Sequence, residues 1–500
     1  MTIVGASLFH LRSRAEYTVS RAIHPDGGLP VSDSTPARIE RDTMGPMEVP
    51  ASAYYGASTM RAVLNFPISD LRLQRDFIRA MGLIKLAAAK TNNSLDLLDS
   101  RLTDAIVKAA QEVADGAFDE HFVVDVFQTG SGTSTNMNLN EVIANRAGEH
   151  LGESLGSKAV HPNDHVNMGQ SSNDVFPTAI HLSALMAIGE RLRPALEKLH
   201  AALTKKSKEL ATVVKTGRTH LQDATPITMG QEFSGYAGQV KRGLRRIKVA
   251  EDELSEVALG GTAVGSGVNT HVEFAPRTCK ELSSLAGVTV RETDSHFQAQ
   301  STLDAAVQAS GCLRTVSVSL LKIANDLRWL GSGPRAGLGE LALPEVQPGS
   351  SIMPGKVNPV IPESLIQVCG QVIGNDTAIV MGGQWGFFEL NTMMPLVAFN
   401  LLQSIDLLAA ASGNFADQCV EGIKATEQGP RSVERGLMLA TALAPIVGYD
   451  TATAIAKEAA ANGKTIAEVA VEKTELTAAE LKKILDPVEM TKPGGAGGGG

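Results

Sequence analysis

Leucines recur at Leu182, Leu185, Leu192, Leu196, Leu199, Leu203 and Leu210, with spacings of 3, 7, 4, 3, 4 and 7, the seam of a heptad pattern. This predicts one long helix from near Asp174, bent at Pro194 but continuing through it. Comparable patterns over about 227–258, 298–330, 360–382 and 393–425 predict four more, and helices of this length imply an elongated bundle. From about 39 to 170 the helical patterns are shorter, including Leu71–Asn92 and Leu102–Ala117, and polar turns separate them. Short helices return after 429, two of them announced by capping boxes, Thr465-x-x-Glu468 and Thr477-x-x-Glu480. The expected class is all-α, with an N-terminal domain over 39–171, a central bundle over 172–428 and a small C-terminal helical domain over 429–492. Residues 1–38 read as a loose extension and 493–500 as a Gly-rich tail.

Composition changes this picture in three respects. Aromatics are only 4% of the 500 residues, which suits close helix packing better than a β-sandwich. The net charge of −9 argues against nucleic acid or an anionic membrane as a general partner, so an anionic ligand needs a local basic pocket. Cys279, Cys312, Cys369 and Cys419 are far apart and show no metal-type spacing; they read as reduced core thiols of a cytoplasmic protein. No apolar run is expected to span a membrane, which takes roughly 18 residues. The bundle helices are apolar on more faces than the two small ends can cover, so association into a homotetramer is expected.

Four polar clusters interrupt the helical patterns. Thr129-Gly130-Ser131-Gly132-Thr133-Ser134-Thr135-Asn136 precedes the pattern Leu139–Ala147, and Gln170-Ser171-Ser172-Asn173-Asp174 precedes the heptad helix. Gly217-Arg218-Thr219-His220-Leu221-Gln222-Asp223-Ala224 follows that helix. The fourth, Pro348 to Pro359, packs Ser350, Ser351, Lys356 and Asn358 between glycines and prolines, and re-enters a helix carrying Glu363 through Asn358 as cap and Pro359 as first helical residue. Singly, such clusters are ordinary helix caps. Repeated, and joined by Lys356, they suit a ligand with two carboxylates, because helix N-termini favour anions. A lone His220 is by default structural, and no HExxH-type metal spacing accompanies it. A carboxylate partner would make it a general acid, and Glu363 is the candidate. The long helix, at roughly 1.5 Å per residue, places Ser171 and His220 about 50 Å apart, so one chain cannot bring them to one site. Neighbouring subunits in an antiparallel bundle could.

The string GSSIMPGKVNP at 349–359 resembles the signature of the fumarase/aspartase superfamily, and the other clusters resemble its class II fumarase branch. GSGT with NMNxNE at 130–141, HPND at 161–164, QSSNDVFPT at 170–178, GRTHLQDATP at 217–226, GGTAVGSGVN at 260–269, KIANDLRW at 322–329 and FELN at 388–391 all fall in the family's order. The resemblance runs from about 40 to 490. It implies a three-domain fold around a bundle of long helices, and reversible anti hydration of fumarate to L-malate through an aci-carboxylate, in a homotetramer whose sites draw on three subunits, with no cofactor and no metal. It implies Ser350 as the base, Lys356 and Asn358 as carboxylate ligands, and Ser131, Thr133, Ser171, Ser172, Asn173, Thr219 and Ser351 as substrate contacts. His220, paired with Glu363, would handle the water. A second, non-catalytic dicarboxylate site would use His161, Asn163 and Asp164.

The chain departs from the family pattern in places. His165 stands where Asp usually follows HPND, Lys158 where relatives often have Arg, and Gly169 where Ser is more usual. Gly383-Gln384-Trp385-Gly386-Phe387-Phe388 is bulkier than the small-residue version expected near the active-site helices. The nearest rival is an aspartate ammonia-lyase, which shares the loop and the carbanion; Ser172 between Ser171 and Asn173 favours the fumarase. An inactive structural or binding homologue is disfavoured by the retained Ser350, Lys356, His220 and Glu363.

Overall fold

The computed structural model describes residues 36–494. The expected extension and tail therefore lie almost wholly outside the described residues; the exception is that strand β1 (Ala37–Asp42) already begins within the stretch read as loose. It pairs antiparallel with β2 (Gly45–Pro50). Helices α1 (Ala57–Asn65), α2 (Arg75–Ser94), α3 (Ser100–Ala114) and α4 (Thr133–His150) follow, with α2 packed on α3 and α3 on α4. Helices dominate the described residues, and strands occur only as five two-stranded pieces, so the all-α expectation holds.

The heptad seam folds as one continuous helical run made of α5 (Ser172–Ala187), a π turn (Ile188–Leu192) and α6 (Arg193–Glu209). Pro194 lacks an N–H and its ring crowds the carbonyl four residues back, at Glu190. The wider π turn sits there, which lets the helix continue through the proline. The run is about 57 Å long at roughly 1.5 Å per residue. All seven seam leucines are buried.

A hairpin, β3 (Val214–Thr219) and β4 (Gln222–Thr228), reverses the chain into α7 (Met229–Leu254). Strand β5 (Glu256–Val257) pairs with β6 (Arg291–Glu292), with α8 (Phe274–Ala286) between them. The pattern over 298–330 is split at Thr302–Leu303 into α9 (His296–Ser301) and α10 (Asp304–Leu330). After β7 (Leu341–Ala342) comes α11 (Val360–Gly383). The tight hairpin β8 (Gly386–Phe387) and β9 (Leu390–Asn391) leads into α12 (Met394–Gln418), and β10 (Lys424–Ala425) pairs back on β7. Helix α6 packs on α7, α7 on α10, α10 on α11, α11 on α12, and α12 on α5 and α6. From α6 through α7, α10, α11 and α12 each helix runs antiparallel to the next, while α12 lies parallel to the α5–α6 run, pairing Arg191 with Asp406 and Lys198 with Asp417, so the bundle has two ends, one at the start of α5 and one at the β3–β4 hairpin.

One expectation needs correction. The segment Met394–Gly422 is long and apolar enough, by length and composition alone, to meet the membrane-span criterion. Its apolar residues are used inside the bundle, where Val397, Leu401, Leu402, Ile405 and Leu408 are fully buried between α11 and the α5–α6 run. The main core extends from Ala53 to Ile423, and a second, smaller core from Val433 to Leu485 holds the C-terminal helices, where both predicted capping boxes form.

Candidate active site

At the α5 end, two helix starts lie side by side. Helix α4 begins earlier than the pattern Leu139–Ala147 suggested, at Thr133, so the first polar cluster forms its opening turn. Gly132 caps it with φ +73°, and a Cβ there would stand 2.0 Å from the Phe176 ring of α5; only glycine permits this approach. The result is a chain of three hydroxyls: Ser131 Oγ lies 2.8 Å from Thr133 Oγ1, which lies 2.6 Å from Ser172 Oγ. Two N-terminal dipole ends and these hydroxyls place hydrogen-bond donors and positive dipole ends here, an arrangement whose chemistry suits an anion. Ser171 caps α5 and accepts from Asn173 N, while the Asn173 amide donates to Ala263 O at 2.9 Å. That bond holds the glycine-rich loop 260–269 against the same helix start.

The support beneath is ionic and dry. Asp174 is fully buried, and its carboxylate accepts from Ser171 N at 2.9 Å and from Gly260 N and Thr262 N at 3.0 Å each. Burial pushes its carboxyl up to about 6, against the pull of those three N–H groups and of Lys85. Lys85 of α2 is also fully buried, and burial brings its ammonium down to about 7 while Asp174 opposes the fall. Its Nζ donates to Asn167 Oδ1 at 2.8 Å and Gln170 Oε1 at 3.0 Å, so it braces the turn that leads into Ser171.

At the other end, His220 and Leu221 form the two-residue tip of the β3–β4 hairpin, with φ +56° and +59°. Both signs match a type I′ turn, which usually takes Asn-Gly; here two bulky residues are held in the left-handed region. Both side chains, and Thr219 before them, are exposed. The loop 348–359 folds back on itself. Asn358 Nδ2 donates to Gly349 O at 2.7 Å, and Ser350 Oγ accepts from Ile352 N at 3.3 Å and Met353 N at 3.0 Å. Lys356 and Ser351 are exposed, and among the described residues Lys356 has no ion pair. Helix α11 starts at Val360 with Pro359 as its cap, one position later than expected, because the Asn358 side chain is committed to Gly349. Glu363 lies 3.9 Å from Arg328 near the end of α10, and no bond joins it to His220 within the chain.

The HPND motif forms a separate π turn, Pro162–Val166. His161 Nδ1 accepts from Asn163 N and Asp164 N, and His165 Nδ1 accepts from His161 N at 2.9 Å, so His165 serves the turn itself. A cavity of about 330 Å³ lies against it, lined by Lys158, His161 and Asn163 together with Arg41, Ser58 and Glu141; Asp164 is not in its wall.

Residues 45–374 match a lyase family model, and residues 439–492 match the model of the fumarase C C-terminus. The chain is 53% identical over 459 residues to fumarate hydratase class II 2 of Bradyrhizobium diazoefficiens, covering 91% of this chain and 97% of that one. It is 55% identical over 458 residues to fumarate hydratase class II of Halobacterium salinarum, with the same coverage. The crystal structure of a class II fumarase from Schistosoma mansoni superposes with a TM-score of 0.90 at 40% identity, covering 92% of this chain and all of that one. The chain belongs to the class II fumarase family.

Within this family member, the structure brings Ser131, Thr133 and Ser172 together, with Ser171 and Asn173 beside them. It gathers Thr219, His220, Ser350, Ser351, Lys356, Asn358 and Glu363 at the opposite end of the bundle. Sequence reasoning missed Lys85, Asp174 as more than a cap, Arg328 as the neighbour of Glu363, and the buried Glu340. Lys85 carried a visible signal, a lone cation in the apolar run Ile84-Lys85-Leu86-Ala87. The role of Asp174 carried none, since its partners are 86 and 88 residues further on.

Proposed function

We propose that the protein is a class II fumarate hydratase that interconverts fumarate and L-malate. The observation that carries this reading is the pair of α4 and α5 N-termini under three linked hydroxyls, in a chain 53% identical to a fumarate hydratase over nine-tenths of its length. This surface suits one carboxylate of a small dianion.

In the malate-to-fumarate direction, the proton on the carbon beside a carboxylate goes to the deprotonated Ser350 Oγ, which becomes the hydroxyl. The electron pair left behind spreads onto that carboxylate, and Lys356 and Asn358 stabilise the charge as it develops. The C–O bond then breaks, with the leaving hydroxyl taking a proton from His220 and departing as water, while Glu363 orients the imidazole. A serine hydroxyl is a weak base, but Ser350 Oγ already accepts two backbone N–H groups, which favour its deprotonated form. Donors fixed where charge develops are worth roughly 2.7–4 kcal/mol each in such steps. Thr219 and Ser351, exposed beside His220 and Ser350, complete the substrate contacts. A second dicarboxylate on Lys158, His161 and Asn163 is a further part of this reading, with Asp164 shaping the turn through its backbone.

The two halves of the machinery lie at opposite ends of one bundle, so the site is composite and we infer a homotetramer. Among the described residues, a Cβ at Gly235 or Gly238 of α7, Gly370 or Gly374 of α11 or Gly413 of α12 would meet no atom within 4 Å beyond its own stretch of helix. A mid-helix glycine costs about 1 kcal/mol against alanine, so glycines unneeded by their own chain fit helices of neighbouring copies packed closely there. The test is turnover of L-malate against L-aspartate, followed by the ultraviolet absorbance of fumarate. L-malate is expected to be strongly preferred; equal or faster turnover of L-aspartate would make the protein an ammonia-lyase.

A further inference from the structure

His220 and Ser350 reach the hairpin end by different routes, one at the tip of β3–β4, the other in the loop after β7. One buried carboxylate touches the root of both. Glu340 is fully buried at the entry to β7, where its N–H donates to Leu330 O at 2.8 Å and its carbonyl accepts from Thr426 N at 3.0 Å. Its side chain takes the Arg218 guanidinium bidentately, at 2.5 and 3.1 Å, and lies 3.4 Å from the buried Lys215 ammonium. Lys215 also pairs with Glu232 of α7 at 3.1 Å.

This arrangement needs a local irregularity. In a regular strand, residues 215 and 218 would face opposite sides. The register of β3 against β4 shifts between Thr216 and Arg218, which turns Arg218 to the side of Lys215. At Gly217, inside the shift, a Cβ would stand 2.6 Å from Thr225 O. Arg218 is thereby fixed two residues before His220.

We propose that Glu340 is a positioning residue for the reaction, clamping the His220 hairpin to the strand that feeds the Ser350 loop. The inference rests on the fumarate hydratase reading above. Charge balance alone does not require the clamp, because Lys215 keeps Glu232 as a partner, and a buried ion pair is often replaceable by apolar groups at no net cost in stability. What the Arg218–Glu340 fork adds is a fixed plane and distance, which a lysine at 218 cannot reproduce.

The experiment compares the full-length parent with Arg218→Lys and with the double variant Arg218→Met/Glu340→Gln, which removes one charge of each sign. Each is assayed for kcat and KM on L-malate and for folded fraction by circular dichroism and melting. A parent that turns over no L-malate sinks the reaction reading itself. With an active parent, both variants should remain folded and lose about tenfold or more in kcat with KM held within about threefold, because misplaced groups lose rate rather than ground-state binding. A kcat within twofold of the parent in either variant overturns the proposal. So does a fall in kcat that merely tracks the loss of folded protein.

Discussion

Replacing Asp174 by Asn separates what this residue does for stability from what it does for the site. The carboxylate serves three N–H groups with two oxygens, the half-buried Ser171 on one and the buried Gly260 and Thr262 on the other. An amide has one oxygen, so at least one N–H is orphaned and faces an NH₂; an unmet buried donor costs about 1–3 kcal/mol. Against this, the variant no longer ionises in a dry site. A carboxyl raised from 3.8 to about 6 is penalised when charged at neutral pH by about 3 kcal/mol. The two effects oppose one another, so stability at pH 7 should change by no more than about 2 kcal/mol. Activity should not be spared. The start of α5 loses its tie to Ser171 or to the 260–262 loop, and a misplacement of 1 Å in a catalytic constellation costs about 100-fold. Fumarate absorbance should therefore report a fall of about 100-fold in kcat/KM.

The pH dependence has a definite sign. A raised carboxyl makes the folded state bind its proton more tightly than the unfolded state does, so the contribution is fully present below 3.8 and lost as pH rises through about 6. Asn does not titrate. Denaturation midpoints should show the parent gaining on the variant, by up to about 3 kcal/mol, as pH falls from 7 towards 4. A kcat/KM within threefold of the parent would refute the positioning role, and a stability gap independent of pH would refute the raised carboxyl.

Two further outcomes follow from the hairpin and the bundle surface. Leu221→Asn places a residue that tolerates the left-handed region at φ +59° and should raise the melting midpoint, since that conformation costs roughly 1–2 kcal/mol for leucine; a lower midpoint would mean the Leu221 side chain is packed against another copy. At Gly374 a Cβ would meet no described atom within 4 Å beyond its own stretch of helix, so the fold should tolerate Gly374→Leu, whereas light scattering should show dissociation and activity should fall in parallel. Retention of a large assembly would show that α11 does not face a neighbour.

The leucine seam made the longest element legible because one helical face is buried along its whole length. What the sequence could not convey were contacts between distant segments. Thr133 and Ser172 look like two separate caps until Gly132 lets α4 press on Phe176. The strands under His220 were hidden because Thr-His-Leu-Gln contains no turn-forming glycine or asparagine, and the hairpin is held by packing of β3 on the helix Gln428–Glu434 and of β4 on α7, and by the Arg218–Glu340 pair. Glu340 reads as an isolated acid in Gly-Leu-Gly-Glu-Leu-Ala; only the bulge 122 residues earlier gives it a partner. The pairing of Glu363 with Arg328 was likewise set by the crossing of α10 and α11.

The separation of the two ends has a consequence for how damage propagates. Under the proposed assembly, no chain owns a complete site, and each chain lends its α5 end and its hairpin end to different centres. A lesion near Ser172 and a lesion near Ser350, carried by different copies, leave the mixed assembly with intact versions of both ends. Two individually dead alleles could then restore one another in a common cell, while a single doubly damaged chain would spoil several centres at once. The inherited unit is the polypeptide, but the unit exposed to selection is the junction between polypeptides.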